Sequence, residues 1–272
     1  MKKIVVGLLL VGAALVSMSS LIFHNRTSNE TFTSQKTVKK LIIEDRNMPI
    51  EIVGASGNQT KISYQKSRDI KYKIKQKGDT LNVERQGKRW FNFSIFNFGA
   101  SNAKVTVEVP RTRLKDLDVE TSNGKLTVEN LMLDNLDLES SNSKMQLKDL
   151  DVKTIDAETS NGNIQLDRLT FDEGSFDTSN GKFDLNNLEF KEGEFETSNG
   201  AIRLNHLQGT KSIYYLKTSN AKVNGTIVGG RADFATVSKT SNASNNLTNQ
   251  SDGSKELEVK TSNGDIAIDF IR

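Results

Sequence analysis

The residues able to do chemistry in this chain are few, and their spacing limits what they can do. There is no cysteine, so disulfides, thiolate metal sites and cysteine nucleophiles are excluded. His24 and His206 are the two histidines, too few and too isolated for a histidine metal site or a catalytic dyad. Carboxylates are abundant, and paired carboxylates across a cleft would be glycoside-hydrolysis chemistry. Here Asp118, Glu120, Asp137 and Glu139 alternate with apolar residues, which puts them on solvated strand faces, and no long insertion builds a cleft. Phosphate loops, calcium loops and helical metal motifs are also missing. No catalytic, cofactor or metal residue is therefore assigned, and no cofactor is expected. Two sets remain with recognisable purpose. One is a lysine series, Lys71, Lys73, Lys75 and Lys77, which shares one face of a strand and is a candidate contact for an anionic surface. The other is a recurring asparagine.

That asparagine belongs to an internal repeat. Thr-Ser-Asn-Gly occurs around Asn123, Asn161, Asn180, Asn199 and Asn263, with variants around Asn102, Asn142, Asn220 and Asn242. Successive asparagines are 19 to 22 residues apart. Four residues before them sit apolar residues such as Val119, Leu138 and Phe176. Three and five residues after them sit pairs such as Leu126 and Val128, or Ile164 and Leu166. Polar residues separate these positions, which describes two short strands per copy with one buried face. The phase changes across Asn-Gly, which predicts a bend where glycine supplies φ > 0 and asparagine tolerates the left-handed region.

One copy cannot bury its own apolar face, but stacked copies can. The expected fold is all-β: a β-solenoid, or β-helix-like stack, of nine rungs with parallel in-register strands, about 40 Å long. In-register stacking aligns the asparagines as a structural amide ladder, and parity with the apolar positions points it inward. The eighth copy decays into the polar stretch 242–254, and the last recovers with Ile266, Ile268, Phe270 and Ile271, which would seal the final rung.

The elements in front divide into three. Lys2 and Lys3 precede twenty uncharged residues, Ile4 to Phe23, long enough to cross a bilayer as an N-terminal apolar helix with the remainder outside. A cleaved signal peptide ending near Ser17-Met18-Ser19 is the competing reading, which gives a secreted protein. Residues 24–37 read as a linker, 38–99 as a β-rich cap and 100–272 as the repeat. Trp90 to Phe98 holds five of eighteen aromatics, either packed over the first rung or forming an exposed platform. Charge divides along the same line. Residues 31–110 carry 15 basic and 7 acidic residues, and residues 111–272 carry 19 basic and 26 acidic ones. A basic front and an acidic rear suit different surroundings.

A strand, then Thr-Ser-Asn-Gly, then a strand, with the entry Val105-Thr106-Val107-Glu108-Val109-Pro110 and Leu117-Asp118-Val119-Glu120-Thr121, resembles the LiaG/YvlB-like candidate-adhesin family of Gram-positive bacteria. The resemblance spans residues 38–272. It implies a solenoid-like extracytoplasmic domain linked to cell-envelope stress systems, without established catalytic residues.

The expected function is a non-enzymatic, membrane-tethered envelope module. Its partners would be the membrane through the N-terminal segment, and wall polymers, anionic lipid or an envelope signalling protein. A passive spacer and a polysaccharide-active β-helix enzyme are the alternatives. Nucleic acid is not expected, because the chain is exported and its repeats are acidic.

Overall fold

The computed structural model describes residues 27–67, 69–87, 103–112 and 114–272. The expected membrane segment, the Trp90 to Phe98 run and Asn102 lie outside these residues. The front half contributes β1 (Ser28–Thr33), β2 (Lys40–Glu44), β3 (Ile50–Ala55), β4 (Lys61–Lys66), β5 (Lys71–Lys77) and β6 (Thr80–Gln86). The stack continues through β7 (Val105–Pro110), β8 (Leu114–Thr121), β9 (Leu126–Ser140), β10 (Met145–Thr159), β11 (Ile164–Thr178), β12 (Phe183–Thr197) and β13 (Ile202–Thr218). It closes with β14 (Val223–Val228), β15 (Phe234–Lys239), β16 (Lys255–Lys260) and β17 (Ile266–Ile271). All seventeen join one open sheet that winds into a solenoid-like stack, and no α-helix occurs among the described residues.

Each central repeat is one long strand bent twice, rather than two short strands. Strands β9 to β12 pair in parallel and in register at a nineteen-residue offset. The first bend falls seven residues after the repeat asparagine, where Asn130, Asp149, Arg168, Asn187 and His206 take φ of 52–58°. Asn and Asp enter this left-handed region more readily than other side chains. The second bend falls where the register skips Asp134, Lys153 and Asp172. Each turn of the stack therefore has three flat faces and, at the Ser-Asn step, a third corner.

The expected inward positions are buried, and three further ones per copy join them. In β9 these are Leu131, Leu133 and Leu136, beside Leu126, Val128 and Leu138. In-register stacking puts like on like, so Phe171 stacks on Phe190 at 4.9 Å and Phe176 on Phe195 at 5.0 Å. Bulk in these layers is matched by glycine within the same rung. A Cβ on Gly174 would lie 2.7 Å from the rings of both Phe171 and Phe176. The rung before solves the same volume differently, with Val152, Ile155 and Ala157.

The expected nine rungs in chain order are corrected at both ends. At the front, β2 lies between β6 and β8, and β3 lies between β7 and β9. The β2–β3 segment, expected in the cap, is thus a rung inside the stack. At the rear, β16 lies between β13 and β15, and β17 pairs with β14. The last copy is therefore not the final rung. The degenerate eighth copy covers it, with the Asn246 backbone N–H donating to the Ile266 carbonyl at 3.1 Å. An end rung meets water on one side, so it has no need of a repeat built to be sandwiched. The front closes with antiparallel strands: β5 on β6, β4 on β7, and β1 on β4. Strand β1 occupies part of the expected linker.

Candidate functional site

The Thr-Ser-Asn-Gly step assigns a separate task to each residue. Threonine is the buried stitch: Thr178 Oγ1 accepts from the Gly181 backbone N–H and donates to the Gly162 carbonyl of the previous rung, both at 3.1 Å. Thr197 and Thr261 repeat the pattern. Where glycine follows the asparagine it permits close approach between rungs, and does not serve for its φ as expected. The positive-φ glycines lie elsewhere, whereas a Cβ on Gly162, Gly181, Gly200 or Gly264 would fall 1.7 Å from a carbonyl oxygen of the adjacent rung. In the Ser140 to Ser143 variant, serine stands at both the threonine and the glycine position, and the two hydroxyls bond at 2.7 Å.

Asparagine faces outward, which corrects the expected inward column. Asn123, Asn142, Asn161, Asn180, Asn199, Asn220, Asn242 and Asn263 are all exposed. Each Nδ2 donates to the Oδ1 of a neighbour: Asn142 to Asn123, Asn161 to Asn142, Asn180 to Asn161 and Asn199 to Asn180 at 2.7 Å, and Asn220 to Asn199 at 2.8 Å. The ladder then follows the stack rather than the chain, from Asn220 to Asn263 to Asn242. At the front Asn123 donates to Asn47 at 2.6 Å, one rung beyond those marked by Thr-Ser-Asn-Gly and its variants. Its signal was present: Leu41 and Ile43 precede Asn47, and Ile50 and Ile52 follow it at the expected offsets. Asp45 stands there in place of threonine, accepting from the backbone N–H of Arg46, Asn47 and Met48, and from the Tyr72 hydroxyl. Burial first, and then the Asp45 charge, hold the Tyr72 phenol far above its usual range.

Two charged surfaces lie on the same side of the sheet that runs from β5 through β6 and β2 to β8. Lys71, Lys73, Lys75 and Lys77 all project from the outer side of edge strand β5. Among the described residues only Lys73 of the four has an ion-pair partner, Glu84 at 3.6 Å. A shallow groove of about 240 Å³ runs beside them, lined by Ile42, Glu44, Lys73, Lys75, Asn82 and Glu84. The third face of the stack is acidic, with Asp118, Asp137 and Asp156 in one outward column and Glu120, Glu139 and Glu158 in the next. Burial, together with Asp118 and Asp156, raises the Asp137 carboxyl above the usual range. Burial also raises Asp177, reinforced by Glu196, Glu194 and Glu158.

Among the described residues no group of three or more His, Cys, Asp or Glu is arranged to hold a metal ion. His206 sits at an exposed bend with its Nδ1 2.6 Å from Asn205 Oδ1, and its backbone N–H donates to Thr226 Oγ1 at 3.1 Å. No helix among the described residues is long and apolar enough to cross a membrane.

A family model described as Toastrack DUF4097 matches residues 38–269. Three solved structures, each of a candidate adhesin, are similar. That from Bacteroides fragilis has 14% identity over 90% of this chain and 99% of its own, with a TM-score of 0.50. That from Parabacteroides merdae has 12% identity over 90% and 97%, with a TM-score of 0.44. That from Parabacteroides distasonis has 10% identity over 90% and 98%, with a TM-score of 0.43. No curated protein matches the sequence.

Proposed function

The chain belongs to the Toastrack DUF4097 family, and on that premise we propose that it is a non-enzymatic binding module of the cell envelope. In this reading the apolar segment before residue 24 tethers it, and the stack stands outside the membrane. Strand β5 contacts an anionic polymer or lipid surface of the envelope. The nearer kinship is to the LiaG/YvlB-like branch of Gram-positive bacteria, with a role in envelope stress. The observation that carries the proposal is the row of exposed lysines, Lys71, Lys73, Lys75 and Lys77, on one side of an edge strand. Three of them lack an ion-pair partner among the described residues. A row like this gathers anionic groups from solution, with a salt-sensitive affinity. The all-β stack supports the reading, because a long regular rod offers surfaces to extended ligands and provides no catalytic cleft.

The test is co-sedimentation with cell-wall sacculi, with and without their anionic polymers, and with anionic and neutral vesicles. Binding that weakens in high salt, and with serine at all four lysine positions, is the expected result. Equal binding by the parent and the four-serine variant would refute the role of β5. No binding to any of these surfaces would leave the passive spacer as the better account.

A further inference from the structure

Charges elsewhere on this stack meet opposite charges in the neighbouring rung. Lys153 bridges Asp134 at 2.8 Å and Lys191 bridges Asp172 at 2.6 Å, so one corner reads Asp, Lys, Asp, Lys. At the next corner Arg168 pairs with Asp149 at 2.6 Å, and on the first face Arg203 pairs with Asp184 at 3.4 Å. The third face breaks this pattern. Across β8 to β12, twelve of its fifteen outward positions are Asp or Glu, and the other three are Asn135, Thr154 and Ser175. Among the described residues, only Glu196 on this face has an ion-pair partner, Lys217 at 2.7 Å. Like charges opposite one another on paired strands cost stability. The same repeat carries opposite charges at its corners, so its geometry does not impose one sign here.

The complementary surface is on the same chain. Strand β5 is the edge of the sheet that continues through β6 and β2 to β8. Lys73 and Lys75 line a groove together with Glu44 of β2 and Glu84 of β6, so the lysine row opens on the same side of that sheet. The lysines do not reach the carboxylates of β8 to β12 within one molecule, because β8, the nearest of these strands, is three strand steps from β5, about 14 Å. Along the strand the two rows match. Lys71, Lys73 and Lys75 recur every second residue, as do Asp116, Asp118 and Glu120, a spacing of about 6.6 Å in both.

We propose that a second copy of this chain docks its β5 lysines across the acidic third face, which makes this face a self-association surface. It is held by charge, and so is sensitive to salt and independent of any outside ligand.

The native chain has no cysteine, so single introduced cysteines report contacts between copies without background. Full-length Lys73→Cys and Asp137→Cys variants, one of them tagged, are mixed in non-ionic detergent at low salt and oxidised. The expected result is a 73–137 heterodimer at about tenfold the yield of a control pair, Lys73→Cys with Ser198→Cys on the exposed ridge. It should fall to the control level at about 0.5 M salt, where the screening length is about 4 Å. A yield equal to the control at low salt overturns the proposal. Charge reversal provides a second test. Chains carrying Lys71→Glu, Lys73→Glu and Lys75→Glu, or Glu120→Lys, Glu139→Lys and Glu158→Lys, should each lose association alone and regain it when mixed. Failure of the mixture to associate, with both variants melting like the parent, also overturns it. A Glu120→Gln, Glu139→Gln and Glu158→Gln variant keeps β5 intact and adds no basic side chain, so its vesicle binding tests the anionic-surface role separately from self-association.

Discussion

Replacing Thr178 with valine should cost far more than the loss of one surface hydroxyl. The side chain is 5% exposed, and its hydroxyl makes two bonds at 3.1 Å, one accepted from Gly181 N–H and one donated to Gly162 O. Valine preserves the shape and removes both. The Gly181 N–H is then a buried donor without a partner, at about 1–3 kcal/mol, and the second bond adds about 1 kcal/mol, giving about 2–4 kcal/mol in total. Thr178→Ser keeps both bonds and loses a methyl group, worth about 1 kcal/mol. Asn180→Ala breaks two ladder bonds, but both are exposed and water replaces them, so it should cost about 1 kcal/mol or less. Urea unfolding of the three variants gives the order, and hydrogen exchange at the Gly181 amide locates the effect. Valine within about 0.5 kcal/mol of serine, or unchanged protection at Gly181, would refute the stitch. A larger cost for Asn180→Ala would show that the exposed ladder, not the buried threonine column, holds the rungs.

Three further outcomes are expected. Gly174→Ile should destabilise by about 3 kcal/mol through overpacking against Phe171 and Phe176; adding Phe171→Val and Phe176→Ala copies the Val152, Ile155, Ala157 layer and should restore at least half, measured by chemical denaturation. Asp137→Asn should raise stability at pH 7 by about 0.5 kcal/mol, because it removes a charge disfavoured by partial burial and by the neighbouring Asp118 and Asp156 carboxylates. The folded Asp137 holds its proton to higher pH than the unfolded chain does. Its favourable contribution is thus full below about pH 4 and is lost as pH rises through the raised value, so the variant's advantage should vanish in melts near pH 4. An advantage that persists in acid would contradict this cause. Tyr72→Phe removes a buried hydrogen bond to Asp45 and should cost about 1.5–3 kcal/mol by urea unfolding.

Much of the architecture was legible because a nineteen-residue period repeats the same local instruction. The apolar offsets around Asn123 or Asn161 mark buried positions correctly, since strand alternation is a local property of the backbone. The inward reading of asparagine failed because parity was carried across a corner, where alternation does not hold. The role of glycine was likewise misread: its neighbour is a carbonyl nineteen or more residues away, and no local pattern reports that distance. Asn47 escaped because Asp45 and Met48 replace the threonine and glycine around it, although the flanking alternation is intact. The lysine row of β5 was found as a strand face, and its exposure is as expected. The acidic residues were also recognised as outward, but their gathering on one face needs the bends at Asn130 and Asp134 to be known.

The sequence by itself determined that the chain is a stack of β-repeats, which positions beside the asparagine are buried, and that the polar residues between them form faces. These follow from period and alternation, which act within one copy. Only the tertiary structure decided the order of the rungs. The β2–β3 and β16–β17 segments enter one level inside the ends, because a regular copy gains from two neighbours while a degenerate one tolerates water on one side. It also decided which charges meet, since that depends on rungs related by stacking rather than by sequence.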